Sequence, residues 1–588
     1  MSTHEGKLAP PLGASPAEGS RERDEARPSR TSALLRIAEH PQAVLFTSVA
    51  AAVLFNLWAT RGQTLFSDEW GRLLLTGDSL DSLLRGYSGH LVVLHAALYK
   101  GIFAVFGADG YLPFRLIEAS LMGVCGLLFY ALARSRAAPW PCVAATLVLL
   151  FLGSATEVTA TPYGIVILLP MAFGLGALVC LQRFPDVGDP LACVLLVGSV
   201  ASQSVGLAFV AGAGVILLLQ SARRALLRSW IVLVPGLLYV AWYAWSRLTT
   251  SAQSAANPIR LHNLAEVPST IVSVCAAGLS AVGGLFHSPG PGADTLTAGY
   301  LLLGLLVVAV AWRGGTGTRL SREIWVPVAL ALVFWALVGM AASPARPPQS
   351  SRYIYPSAAF LLLFILELTR DVRPTPRVIA ATSVALVVSL VPNIVNYKDQ
   401  ADRIRGAAGG ERAELAALEL LRGEIPAASL PPLIIQAGIL HVGNGWPPIA
   451  PERYFEAIDR YGSPALDQSQ LATASEAQRQ AADRVLLDAG DLSIRRFPAG
   501  RALSAGTCGT GAGSGVPNAS YPVPPEGLLV QPRGSASAVA VTARRFAAAP
   551  QPVRLPAGAG PLLLKPAAAS VERPWFVVVG GARVCRTR

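Results

Sequence analysis

Two adjacent carboxylates, Asp68 and Glu69, stand in the stretch Leu-Phe-Ser-Asp-Glu-Trp at 65–70, just after an apolar run that ends near Thr60. Side-by-side like charges repel, and drying them costs several kcal/mol unless something pairs with them. Such a pair suits three jobs. It can stay hydrated at the start of a helix, where the dipole favours acids. It can ligate a cation, and two oxygen donors without a nearby cysteine suit a hard divalent ion such as magnesium or manganese. Or it can take a proton from a substrate, with Asp68 as base and Glu69 as ligand or support.

Other residues of chemical interest are spread along the chain. Arg352, Tyr353 and Tyr355 sit in "SSRYIYPSAAFLLL", just before a later apolar run. Arginine offers a two-pronged fork to phosphate, although Arg and Tyr also anchor membrane interfaces. Arg115 and Glu118 are one helical turn apart, a spacing that predicts a local ion pair. His90, His262 and His287 lie between apolar runs; His90 is as readily structural as a ligand, and for His262 and His287 the structural role is the first expectation. No Cys-x-x-Cys or Cys/His metal spacing occurs. Cys508 and Cys585 stand alone in the polar C-terminal region and suit a disulfide in an oxidising compartment, whereas the other five cysteines lie in apolar runs.

The elements that must position these residues are mostly membrane helices. The 588 residues are 52% hydrophobic and only 14% charged, against roughly 25% charged for a soluble domain. The formal charge of +12 is almost all arginine; Lys7, Lys100, Lys398 and Lys565 are the only lysines. That charge falls in short segments between apolar runs, as the positive-inside rule places it, so it is not read as a nucleic-acid footprint. Arg and Ala bias suggests a GC-rich, bacterial genome.

Residues 1–38 are Pro-, Ser-, Glu- and Arg-rich and predict a disordered cytoplasmic tail. The run at 41–60 predicts a signal anchor. Further spans are expected near 112–133, 139–155, 162–181, 189–202, 205–220, 229–246, 298–313, 324–342, 356–369 and 377–395, about eleven in all. In 189–220, "SVASQSVG" offers a polar turn, with Gly206 as breaker. Arg134/Arg136, Arg183, Arg223/Arg224/Arg228, Arg313/Arg319/Arg322 and Arg370/Arg373/Arg377 then all fall on the side of the N-terminal tail. This predicts a multi-pass plasma-membrane protein, N-terminus cytoplasmic and C-terminal region exoplasmic. The loop at 61–111 predicts two helices lying in the interface, and 264–287 resembles them. Residues 39–395 form the expected membrane domain. Residues 396–588 form an exoplasmic α+β domain, helical over 396–490 and strand-rich, with a β-sandwich-like end, over 491–588.

A first span, an exoplasmic Asp-Glu directly after it and two interfacial helices before the second span resemble the GT-C class of membrane glycosyltransferases, which includes protein O-mannosyltransferases and lipid A aminoarabinose transferases. The stretches that carry the resemblance are "FSDEW" at 66–70, "GHLVVLHAALYKGIFAVFGADGYLPFRLIEA" at 89–119 and "SSRYIYPSAAFLLL" at 350–363. Many members have His-Pro-Pro-Leu in the second; here His90 is followed by Leu-Val-Val. The resemblance implies transfer of a sugar from a polyprenyl-phosphate donor to an envelope glycan, lipid or protein. It implies Asp68 and Glu69 as catalytic, Arg352, Tyr353 and Arg115 at the donor phosphate, and His90 and Tyr355 in acceptor or supporting roles. A divalent ion would sit on Glu69, with His262 as a further candidate. Two readings stand beside it: a non-catalytic scaffold of the same architecture, and a transporter or flippase of a lipid-linked precursor.

Overall fold

The computed structural model describes residues 40–588 except 67–68, 76, 78, 87–88, 186, 250–260, 287–295, 317–319, 343–346, 373–374, 437–438, 443–447, 497–504, 509–519, 533–538, 558–559, 568–572, 581 and 588. The expected tail at 1–38, and Asp68, His287, Arg319 and Arg373, therefore lie outside the described residues.

The first apolar run forms α1 (Pro41–Ala59), with proline in its first turn, where no N–H is needed. The loop after it folds as α2 (Glu69–Leu74), α3 (Leu80–Leu84) and α4 (Val93–Phe106). The Ser79 hydroxyl caps α3 by accepting from the Ser82 N–H. Helix α4 buries His95, Ala96, Tyr99, Ile102 and Phe103, one stripe at helical spacing. It stops at Gly107, whose φ is 77° and where a Cβ would stand 2.7 Å from the Tyr461 carbonyl oxygen.

The bundle follows: α5 (Leu112–Ala133), α6 (Pro139–Leu150), α7 (Thr156–Thr159), α8 (Ile165–Arg183), α9 (Asp189–Ser202), α10 (Gly206–Leu218), α11 (Ala222–Arg228), α12 (Trp230–Thr249), α13 (Val267–Val282), α14 (Thr297–Gly315), α15 (Trp325–Met340), α16 (Ser351–Leu368) and α17 (Pro376–Leu420). Among the described residues, eight helices are long and apolar enough to cross a membrane: α1, α5, α8, α12, α14, α15, α16 and α17, where α8 and α15 include a preceding 3-10 turn. The other three expected spans are shorter than a span requires. Helices α6, α9 and α10 have 12, 14 and 13 residues, about 18–21 Å each against a hydrocarbon core of about 30 Å. The break between α9 and α10 falls in the polar turn, and a Cβ on Gly206 would lie 2.5 Å from the Ser199 carbonyl carbon. Helix α13 departs from the interfacial expectation. Its Val274–Ala281 face is buried against α14, α15 and α16, because its Ala and Gly residues let neighbouring backbones approach closely.

Helix α17 has 45 residues, capped by the Thr375 hydroxyl. It is about 67 Å long and runs unbroken through the expected boundary at 395–396 into the C-terminal region. There α18 (Pro451–Tyr461), α19 (Gln468–Thr473) and α20 (Glu476–Asp488) pack with it. The expected all-helical stretch 396–490 also holds an antiparallel sheet of β1 (Leu433–Gln436), β2 (Ile439–Val442) and β3 (Pro448–Ile449), ordered β2-β1-β3. Its isoleucine-rich strands are too short and too Pro-flanked to extend a helix.

The end of the chain forms β4 (Leu492–Arg496), β5 (Ala505–Cys508), β6 (Ser520–Pro522), β7 (Leu528–Pro532), β8 (Ala540–Arg544), β9 (Gln551–Pro552), β10 (Leu562–Pro566), β11 (Phe576–Gly580) and β12 (Ala582–Thr587). These make a five-stranded sheet, β4-β10-β7-β12-β5, and a four-stranded sheet, β6-β11-β8-β9. Leu528, Val530, Leu562 and Leu564 of one share a core with Val541, Ala543 and Val577 of the other, as in a sandwich. Helix α20 docks through Asp483, which accepts from the backbone N–H groups of Arg545, Phe546 and Ala547. Cys585 is disulfide-bonded, its register partner across β12 and β5 is Cys508, and the five remaining cysteines are free.

Candidate functional site

All six residues of α2 are buried. Glu69 is 1% exposed. Its Oε1 accepts from the Tyr99 hydroxyl at 2.9 Å, and its Oε2 from the Tyr111 hydroxyl and the Phe66 N–H, each at 2.7 Å. Burial first, and then the Glu69 charge, hold both phenols well above their ordinary range, so they remain donors. Glu69 is thus the clamp that fixes α2 against α4 and the start of α5. The Tyr99 ring lies 4.4 Å from the ring of His95, which is 1% exposed and whose nitrogens have no hydrogen-bond partner among the described residues. Burial, and secondarily the charge of Arg72, push His95 well below the usual imidazole range.

One turn beyond Glu69, Arg72 lines a cavity between α4, α8, α9, α10, α15 and α16. Its polar wall is Arg72, His90, Tyr163, Gln203, Ser204, Arg352 and Tyr353; its apolar wall includes Val166, Ile167, Phe334, Leu337 and Val338. Arg352 Nε stands 2.9 Å from Glu157 Oε2, a pair about one-third exposed. His90 Nδ1 and the Tyr239 hydroxyl each lie 2.8 Å from Ser204 Oγ, a three-member hydrogen-bonded chain. The cavity takes the start of α8 (Val166, Ile167) and the end of α15 (Phe334, Leu337, Val338), and Arg183 and Arg322 stand at the opposite ends of those two helices. Arg72, itself buried, and Arg352 in the wall of this small cavity offer guanidinium groups to an anionic group.

Three of the expected site residues, His90, Arg352 and Tyr353, therefore converge, although 262 residues separate the first two. Arg115, Tyr355 and His262 do not join them, and Asp68 lies outside the described residues. Arg115 makes no ion pair with Glu118. The end of α1 offers it better acceptors, and it donates to the Thr60 hydroxyl at 3.0 Å and to the Leu57 carbonyl. Glu118 instead accepts from the Asn56 amide at 2.9 Å, within a buried group that includes Tyr397. Tyr355 is fully buried in the helix-bundle core, away from the cavity wall. His262 is exposed on the short turn Leu261–Ala265. No group of three or more His, Cys, Asp or Glu side chains suited to a metal occurs among the described residues. Both Glu69 oxygens are engaged by O–H and N–H donors, and Asp68, the other expected acid, lies outside the described residues.

Sequence reading missed Arg72, Glu157, Tyr163, Gln203 and Ser204. Arg72 alone left a local trace, at i+3 from Glu69 on a short apolar helix. No protein-family model matches this chain, and no curated protein matches its sequence.

Proposed function

We propose that the chain is a membrane glycosyltransferase of the GT-C kind, which moves a sugar from a polyprenyl-phosphate donor to a cell-envelope acceptor. The observation that carries this reading is the cavity at one end of the bundle, lined by Arg72 and Arg352 together with apolar side chains. The positive-inside rule puts the opposite, arginine-rich end in the cytoplasm, so the cavity and the C-terminal domain face the exoplasm. Arg72 and Arg352 meet the donor phosphate. Asp68 takes the proton from the acceptor hydroxyl. The acceptor oxygen attacks the anomeric carbon from the face opposite the phosphate, the carbon–phosphate-oxygen bond breaks, and configuration inverts. His90, held by Ser204, contacts the acceptor.

The test is transfer from purified polyprenyl-phosphate sugars by the chain in nanodiscs, paired with mass spectrometry of envelope glycans from a deletion strain. Transfer lost in Asp68→Ala supports catalysis; an unchanged phenotype in that variant favours the scaffold. A reporter on the C-terminal domain should read exoplasmic and one within 314–322 cytoplasmic. A cytoplasmic C-terminal signal overturns the reading, since donor chemistry and cavity would lie on the wrong face.

A further inference from the structure

The residue after Glu69 ties the first loop to the far end of the chain. Trp70 is fully buried, and its indole N–H donates to Glu411 Oε2 at 2.8 Å. Glu411 is 2% exposed and lies on α17, 35 residues past Pro376, about 52 Å along the helix axis and well beyond the thickness of a hydrocarbon core. Its Oε1 accepts from the Leu440 N–H in β2 at 3.1 Å. One carboxylate thus grips the first loop and the C-terminal sheet together. Tyr454 of α18 packs on the same indole, ring centroids 6.4 Å apart.

A helix of six residues cannot set its own orientation, because so short a helix is unstable alone. Helix α2 points where its grips hold it. Glu69 grips towards α4 and α5, and Trp70 grips towards the C-terminal domain. The same turn carries Arg72 to the cavity wall.

We propose that the C-terminal domain positions the membrane site, with Glu411 acting through Trp70 to fix how α2 presents Arg72 to the lipid-phosphate donor. This rests on the transferase reading of the cavity. Glu411 and Trp70 are positioning residues, not catalytic ones, and the domain is a working part of the site.

Full-length chain in nanodiscs tests it, with a polyprenyl-phosphate sugar as donor. Trp70→Phe keeps the ring and deletes the N–H. Glu411→Gln keeps the shape but loses one of the two oxygen acceptors, and serves where Trp70→Phe folds poorly. Each should raise the donor KM on the order of tenfold, within the range a small misplacement causes, and leave the acceptor KM unchanged. In an Arg72→Ala background, Trp70→Phe should add nothing further, because the residue it acts through is gone. Amide exchange over 69–74 should quicken in both single variants. Wild-type kinetics and exchange in Trp70→Phe overturn the proposal, as does an equal additional loss with and without Arg72, which marks a merely structural role. If the wild-type chain transfers no sugar, the transferase reading fails by itself, and exchange over 69–74 decides the coupling: faster exchange upholds it and unchanged exchange overturns it.

Discussion

Arginine does different work at the two ends of the helix bundle. At the end away from the cavity two arginines are matched inside the protein. Arg136 and Glu367 meet at 3.4 Å with side chains 0% and 1% exposed, and Arg228 Nε reaches Asp189 Oδ2 at 2.7 Å, also buried. At the same end Arg313 pairs with Asp371 and Arg370 with Glu323 at the surface, the latter pair 42% and 48% exposed. These pairs tie helix ends together. At the cavity end Arg72 and Arg352 border a slot, and the Arg352–Glu157 pair is open enough to change partners. A buried pair is dangerous to break, whereas a half-open pair is cheap to rearrange. The first kind serves folding and the second suits binding.

The contrast breaks most sharply at Glu367. Glu367→Ala leaves the buried Arg136 charge uncompensated, which costs about 3–5 kcal/mol. The expected result is loss of the monodisperse peak in detergent size-exclusion, or a large fall in unfolding temperature. Arg352→Ala should keep that peak and lose activity instead, on the order of 2–4 kcal/mol in kcat/KM, as when one oxyanion donor is removed. Arg352→Lys should lose less, and Asp68→Asn at least as much as the alanine variant. Full activity in an intact Arg352→Ala protein would make Arg352 an interfacial anchor. Glu157→Gln sharpens the comparison from the other side. It frees Arg352 from a pair of the exposed kind, and the donor KM should fall by up to about fivefold, the equivalent of the ~0.2–1 kcal/mol such pairs contribute. An unchanged donor KM would show that Glu157 does not compete with the donor.

A carboxylate held without a buried cation gives the smallest effect. Glu476 accepts from the N–H groups of Ala548 and Ala549, which hold its carboxyl down to about 2 from an ordinary 4.5, with Arg479 and Gln480 assisting. A depressed folded-state pKa stabilises above the unfolded value, and the benefit fades as pH falls through the folded one. Glu476→Gln should therefore lower the unfolding temperature slightly above about pH 4.5, with the gap to wild type closing towards pH 2. A gap that widened on acidification would contradict the assignment.

What could be read before folding followed from range. Long apolar runs became the long helices, because hydropathy is a property of the segment itself. The charged turns marked one end of the bundle for the same reason. Strand-like runs after Leu492 became two sheets, but their order, with β10 between β4 and β7, comes from pairings across up to 82 residues, Ala505 with Thr587. The cavity was legible in its cations and its histidine, not in its company: Gln203 and Tyr163 look like ordinary turn and interface residues until α8 and α9 bring them to Arg352. Arg115 and Glu118 have the spacing of an ion pair, yet Thr60, Leu57 and Asn56, more than fifty residues away, offer each a better partner. Glu69 looked solvated or metal-bound for the same reason, since its donors are Tyr99 and Tyr111.

The grip of Glu411 on Trp70 also sets an order of birth. The two residues are 341 positions apart. The core under the first loop joins Leu65, Trp70 and Tyr99 to Leu415, Tyr454 and Leu486. At the usual pace of about 5–20 residues per second, synthesis leaves that core half-made for roughly 17–70 s after Trp70 is joined. A chain released in that interval would hold most of its membrane helices and an α2 without its Glu411 contact. The contact between the first loop and the C-terminal region is completed last, so a truncated product meets the membrane without it.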